Sequence, residues 1–312
     1  MKCHTPLRYP GGKTKLAGFI GRVLQSNRLE GCAFVEPYAG GGGISVALLL
    51  EGHVSRIVIN DLDYVVYAFW KTLVDDAEWL CQKVLATPVT LESYYAQKTI
   101  NRAPEKYPLR EVGFSTFFLN RTNRSGILRA GVIGGYRQDG SYKMDSRYNK
   151  AVLVEKIRKI AAKRDAIHVF NDDAIALTEK LTCLAGKKVL FYFDPPYVNK
   201  ADSLYNYSYV EGDHLKLAQM LQDLEWPWIA SYDDVPAIRE LYRSCASSEL
   251  HFNYSVYHSG VRGKELLLYG NLLLPDGAHP LTPRPARKGA SHDRCAPACQ
   301  SPHQKSQQGR TA

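Results

Sequence analysis

A chain of 312 residues that is 45% hydrophobic and 23% charged carries enough apolar material to bury a core unaided, which excludes a disulfide- or metal-stapled mini-scaffold and a chain disordered throughout. Its 40 Lys and Arg against 31 Asp and Glu leave a net charge of +9, a balance suited to a polyanionic partner. No run approaches the ~18 apolar residues of a membrane span and the first fifteen residues hold no apolar signal segment, so no membrane association and a cytoplasmic location are expected.

In chain order, Gly11-Gly12-Lys13-Thr14 ends like a phosphate-binding loop. A Walker sequence needs a glycine where Leu7 stands and a buried strand ahead of the loop, so ATP binding is set aside. Ala33 to Val35 reads as a short apolar strand entering the turn Glu36-Pro37-Tyr38-Ala39-Gly40-Gly41-Gly42-Gly43, after which Ile44 to Leu50 has helical spacing. Arg56 to Asn60 is a second strand ending at Asp61, and Tyr64 to Val74 is again helical, which completes a βαβ unit. Residues 75–165 read as an insertion of helices followed by a glycine- and arginine-rich segment from Asn120 to Lys150. The centre of that segment, Ile127 to Tyr142, suggests a loop or hairpin. Ala166 to Phe170 and Val189 to Phe193 are wholly apolar strands of the buried parallel kind, and Trp228 to Tyr232 and Glu265 to Tyr269 add two more. The stretch 271–312 holds six of the 16 prolines and few apolar residues, so 275–312 is expected to be a disordered basic tail. Within it His292, Cys295, Cys299 and His303 lack zinc-ligand spacing, no metal is expected, and the odd, scattered cysteines fit reduced thiols.

Two places carry chemistry. The glycine turn permits close backbone approach to a ligand at a helix N-terminus, yet it departs from the GxGxxG dinucleotide pattern and also serves as a plain strand-to-helix turn. Asp61 suits the two ribose hydroxyls of an adenosine, or the N-cap of the following helix. The sharper signal is Asp194-Pro195-Pro196-Tyr197, directly after an apolar strand. Two prolines end the strand and stiffen the turn, setting a carboxylate, the Pro195 carbonyl and an aromatic face toward one cavity at the ligand-binding edge of a parallel sheet. Two acceptors and a stacking face suit a planar base with an exocyclic amino group.

These residues resemble the DNA adenine-N6 methyltransferases of the Dam-like D12 class, alpha group, across most of residues 5–270. Leu7-Arg8-Tyr9-Pro10-Gly11-Gly12-Lys13 is similar to the family's N-terminal motif, which implies that Tyr9 and Lys13 contact the cofactor S-adenosylmethionine. Phe34 to Gly42 resembles the cofactor loop and assigns Glu36, Pro37, Tyr38, Gly40 and Gly42 to it. Asn60-Asp61 resembles the segment with the ribose-binding acid, and Asn171-Asp172-Asp173 the segment whose last acid, Asp173, takes the cofactor's adenine amino group. Asp194, Pro195, Pro196 and Tyr197 match the catalytic motif. Phe118 to Gly126, Gly134-Gly135 and Arg147-Tyr148-Asn149 resemble the insertion used on DNA. The resemblance implies an α/β, Rossmann-like methyltransferase sheet, with a discontinuous catalytic domain over 1–74 and 166–274 and a mainly helical target-recognition domain over 75–165.

The residue chemistry agrees. Hydrogen bonds from the adenine amino group to Asp194 and the Pro195 carbonyl localise a lone pair otherwise delocalised into the ring, and Tyr197 stacks on a base that has left the duplex. On the glycine-rich segment Arg121, Asn123, Arg124, Arg129, Arg137 and Lys143 are the candidate contacts to double-stranded DNA; a solvated basic face is the alternative for each, and bracing of the loop a further one for Arg121 or Arg124. The expected activity is site-specific transfer of methyl to adenine N6 by a monomer, either solitary or paired with a cognate restriction endonuclease. Three other readings stand beside it. One is RNA adenine or cytosine N4 as acceptor, although Asp194 favours DNA adenine by resemblance; another is a catalytically silent DNA-binding scaffold. A nicotinamide-dependent oxidoreductase rests on the glycine turn alone.

Overall fold

The computed structural model describes residues 4–9, 13–182, 188–198, 209–254, 261–275 and 281–283. The apolar runs become the middle of one sheet: β1 (Ala33–Glu36), β2 (Arg56–Asn60), β3 (Ile167–Phe170), β4 (Val189–Phe193), β5 (Trp228–Asp233), β6 (Ala246–Tyr254), β7 (Val261–Gly270) and β8 (Leu281–Pro283). Their order across the sheet is β3-β2-β1-β4-β5-β7-β6-β8. The first five in that order run parallel, and β7, β6 and β8 continue antiparallel.

Strand alternation divides the core in two. Phe34, Ile57, Ile59, Leu190, Tyr192, Ile229 and Leu267 share one buried cluster with α1 (Ala17–Ser26), α2 (Gly43–Leu50) and α3 (Tyr64–Asp75). Val35, Val58, Phe191, Phe193, Trp228, Ala230 and Leu268 share the other with α8 (Ala174–Thr182), α9 (Glu211–Asp223) and α10 (Pro236–Leu241). Helices thus cover both faces, which is why these strands are apolar at every position rather than alternately.

Between β2 and β3 lie α4 (Ala77–Ala86), α5 (Leu91–Arg102), α6 (Leu109–Thr122) and α7 (Lys150–Ala161). Phe114, Phe117 and Phe118 of α6 belong to the same buried cluster as the sheet, and Phe117 stacks on Phe69 of α3 with centroids 6.0 Å apart. The inserted helices are therefore continuous with the core. Thr90 and Asn149 cap α5 and α7 in the ordinary way, accepting from Ser93 and Val152 N–H groups.

Two features depart from the sequence reading. β6 was not expected: its Ala246-Ser247-Ser248-Glu249 start carries little of the apolar signal that marks the central strands. Leu281–Pro283, inside the stretch expected to lack structure, pairs antiparallel with β6. Residues 276–280 and 284–312 of that tail, with His292, Cys295, Cys299 and His303, lie outside the described residues, as do Gly11 and Gly12. Among the described residues no His, Cys, Asp and Glu cluster could hold a metal ion, and no helix is long and apolar enough to cross a membrane.

Candidate active site

From β1 the chain passes through α2 to β2 on one side, while β4 and β5 lie on the other, so a crevice opens at the carboxyl ends of β1 and β4. The glycine turn forms its floor. Gly40 and Gly42 have φ of +46° and +56°, conformations that favour glycine, and a Cβ on Gly40 would lie 2.6 Å from the Tyr9 ring. Tyr9 is thereby seated on the turn, whose other side is held by Trp70 Nε1 donating to the Gly40 carbonyl at 2.9 Å. Buried Glu36 lies beneath the turn and accepts from the Ser45 amide at 3.3 Å and from the Ser45 hydroxyl. Burial pushes its carboxyl up to about 8, against the Ser45 hydrogen bonds.

Asp61 does not cap α3; Asp63 does, accepting from Val65 N–H. Asp61 instead ties the second strand to the turn, taking the Gly40 N–H at 2.8 Å and the Asp63 N–H at 2.9 Å. Burial, with Asp63 nearby, pushes its carboxyl up to about 7. Fully buried Asn60 fixes the neighbouring strand ends: its amide donates to the Pro37 and Asp172 carbonyls and its oxygen accepts from Asp172 N–H. Asp173 is exposed and caps α8 through the Ile175 and Ala176 amides. Tyr38 hydrogen-bonds Tyr209 hydroxyl to hydroxyl at 2.5 Å.

Across the crevice Asp194 follows β4, with Pro195 buried and Tyr197 half-buried beside it. Asp194 Oδ1 accepts from Ser231 Oγ of β5 at 2.7 Å, and Ser231 is itself paired with the Tyr192 hydroxyl at 2.8 Å. Lys13, 5% exposed, places its ammonium 3.3 Å from Oδ1, 3.5 Å from Oδ2 and 2.5 Å from the Tyr197 hydroxyl. The same ammonium lies 3.2 Å from Glu265 Oε2 on β7. Lys13 therefore belongs to the surroundings of Asp194, although the sequence motif alone groups it with Tyr9. Ser231 and Glu265 were missed, and the signals were faint: a lone hydroxyl in Trp228-Ile229-Ala230-Ser231-Tyr232 and a lone charge opening Glu265-Leu266-Leu267-Leu268-Tyr269.

The chain matches the D12 class N6 adenine-specific DNA methyltransferases over residues 9–257. It belongs to this family. It is also 22% identical over 241 residues to the type II methyltransferase M.MjaIII of Methanocaldococcus jannaschii, covering 70% of this chain and 79% of that one. The protein is thus an adenine-specific DNA methyltransferase, an enzyme that draws on a methyl donor and acts on DNA.

In this methyltransferase the six residues expected on DNA divide sharply. Asn123 is fully buried and donates to the Ile127 and Leu128 carbonyls, so it braces the loop from inside and does not meet a base in this conformation. Arg121 is half-buried and directed to the carbonyls of Arg147 and, at 3.4 Å, Pro6. Arg124, Arg129, Arg137 and Lys143 are exposed, and Arg137 is 3.6 Å from Asp139. Next to them Tyr136 stacks on Tyr95 of α5, centroids 6.2 Å apart. The amino-terminal strap, residues 4–9, joins this insertion to the glycine turn. Thr5 Oγ1 donates to the Gly41 carbonyl at 2.6 Å, while Asn120 of α6 accepts from Arg8 N–H at 2.7 Å and donates to the carbonyls of Arg8 and Gly126 at 2.6 and 2.9 Å.

Proposed function

We propose that this DNA adenine methyltransferase uses S-adenosylmethionine, held over the glycine turn by Tyr9, Glu36, Pro37, Tyr38, Gly40, Gly42, Asp61 and Asp173, and that Asp194, Pro195, Pro196 and Tyr197 handle a base extruded from double-stranded DNA. When bound, that cofactor supplies an electrophilic methyl group on a sulfonium. The donor and acceptor set fits it: carboxylates at the ends of the first two strands suit ribose hydroxyls and an ammonium, and the N-terminus of α2 suits a carboxylate.

The observation that carries the reading is the asymmetry at Asp194. Oδ1 is tied by Ser231 at 2.7 Å, whereas Lys13 reaches Oδ2 only at a long 3.5 Å, which leaves that oxygen able to accept a hydrogen bond from an amino proton. Oδ2 and the Pro195 carbonyl accept hydrogen bonds from the two N6 protons, turn the nitrogen lone pair out of ring conjugation and aim it in line with the methyl group. Tyr197 stacks on the base, which pays part of its unstacking from the duplex. After transfer the methylated nitrogen carries one surplus proton, which goes to water. Residues 75–165 serve as the target-recognition unit, with Arg124, Arg129, Arg137 and Lys143 on the phosphates and base edges.

The test is transfer of labelled methyl from S-adenosylmethionine to unmethylated duplex DNA, with digestion to nucleosides and mapping of modified positions. N6-methyladenine in one sequence context, abolished by Asp194→Ala while cofactor affinity is kept, supports the proposal. Methyl transfer retained in Asp194→Ala, or cofactor affinity lost with it, overturns the assigned roles.

A further inference from the structure

Glu265 is 2% exposed and begins the buried part of β7, an otherwise aliphatic run paired with β5 so that Glu265 stands opposite Asp233. Burying a carboxylate there is costly without compensation. The strongest compensation in reach is the Lys13 ammonium at 3.2 Å, itself 5% exposed. The groups that face Glu265 are Lys13 from the segment before α1, and Asp194, Tyr197 and Tyr192 from β4 and the turn after it. Burial pushes the Glu265 carboxyl up to about 7 against the pull of Lys13, so above that pH one buried ammonium is shared by two carboxylates.

We infer that Glu265 is a positioning residue for methyl transfer, which draws the Lys13 ammonium away from Asp194 and so keeps Asp194 Oδ2 open to the adenine amino group. The geometry supports the division of labour. Lys13 stands at about the same distance from Glu265, at 3.2 Å, as from the oxygens of Asp194, at 3.3 and 3.5 Å, rather than closing on Asp194 alone, and it also holds the Tyr197 hydroxyl. An ammonium with Asp194 as its sole anionic neighbour would close on it, because an unshared buried ion pair shortens to good hydrogen-bond distance. That movement would occupy the acceptor that the substrate needs and swing the Tyr197 ring with it. The inference rests on the catalytic role proposed above for Asp194.

The experiment is single-turnover methyl transfer to duplex DNA by Glu265→Gln, which keeps the shape and removes the charge, with cofactor and DNA affinities and the thermal midpoint measured alongside. The expected result is a rate constant lower by about ten- to hundredfold, the scale of a sub-ångström to 1 Å misplacement, with both affinities within about twofold. Glu265→Asp, which restores the charge one methylene short, should recover part of the rate. Because Glu265 acts through Lys13, Glu265→Gln should add no further loss to Lys13→Met. An unchanged rate in Glu265→Gln overturns the inference, and so does a loss that multiplies fully with that of Lys13→Met. Should Glu265→Gln fail to fold, Glu265→Leu, which also removes the charge and suits the apolar run of β7, decides in its place: a lowered rate with affinities kept supports the inference and a wild-type rate refutes it. Asp194→Ala in the same assay separates the two layers, since transfer surviving in that variant sinks the catalytic reading whatever Glu265 does.

Discussion

Replacing Asn120 with alanine probes how firmly the amino-terminal strap is built into the enzyme. The side chain is 2% exposed and makes three hydrogen bonds, accepting from Arg8 N–H and donating to the carbonyls of Arg8 and Gly126. Each such bond contributes about 1 kcal/mol net, so Asn120→Ala should lower unfolding free energy by about 3 kcal/mol. The loss is read from urea unfolding as a shift in midpoint at unchanged slope. Asn120→Asp keeps the acceptor for Arg8 N–H but turns a carboxylate toward two carbonyls in a buried position, and it should cost at least as much. Because the strap carries Tyr9 onto the glycine turn, cofactor affinity should also fall, by about fivefold if roughly 1 kcal/mol of the loss is expressed there. A stability change under about 0.5 kcal/mol in Asn120→Ala, within the range of surface substitutions, would refute the reasoning.

Other outcomes follow from the site. Ser231→Ala removes the donor that fixes Asp194 Oδ1 and should lower kcat by about tenfold with cofactor affinity kept, whereas equal losses in both would show that Ser231 supports the fold only. Asp61, pushed up to about 7 by burial, has to be ionised for the ribose-binding role proposed above, so cofactor affinity should weaken as pH falls below 7, and Asp61→Asn should abolish that part of the dependence. The folded-state sign is the opposite: the native carboxyl holds a proton that the unfolded chain has released, so the stability from Asp61 is present in acid and is lost as pH rises from about 4 through about 7, a slope that Asp61→Asn should flatten. Alanine at Arg129 or Lys143 should weaken DNA binding and reduce the slope of log affinity against log salt by about 0.9 if each meets one phosphate, while an unchanged slope would remove that residue from the interface.

The sheet was legible because its central strands are buried on both faces and their apolar runs admit few other readings, as in Phe34 to Val35, Ile57 to Ile59 and Val189 to Phe193. β6 was not, since it lies toward the sheet's antiparallel edge and opens with polar residues. In the crevice, Asp61 and Asp194 were legible because each directly follows a readable strand. Ser231, Glu265 and the bracing of the loop by Asn123 depend on contacts that local spacing does not encode. Asn123 illustrates the limit: an amide beside two arginines looks like a reader of bases, and only tertiary packing shows that its donors are satisfied by Ile127 and Leu128.

The strap also bears on how the molecule is made. Arg8 finds its partner Asn120 112 positions later in the chain, and Lys13 reaches Asp194 181 positions later, with Glu265 further still. In folding, Arg8 and Lys13 must wait for partners far along the chain, and contacts of such separation form slowly. Nascent chains that end before β7 hold the glycine turn and the strand that leads into Asp194, but they lack the carboxylate that shares Lys13. Competence for methyl transfer should therefore appear abruptly, with β7, rather than grow as the chain lengthens.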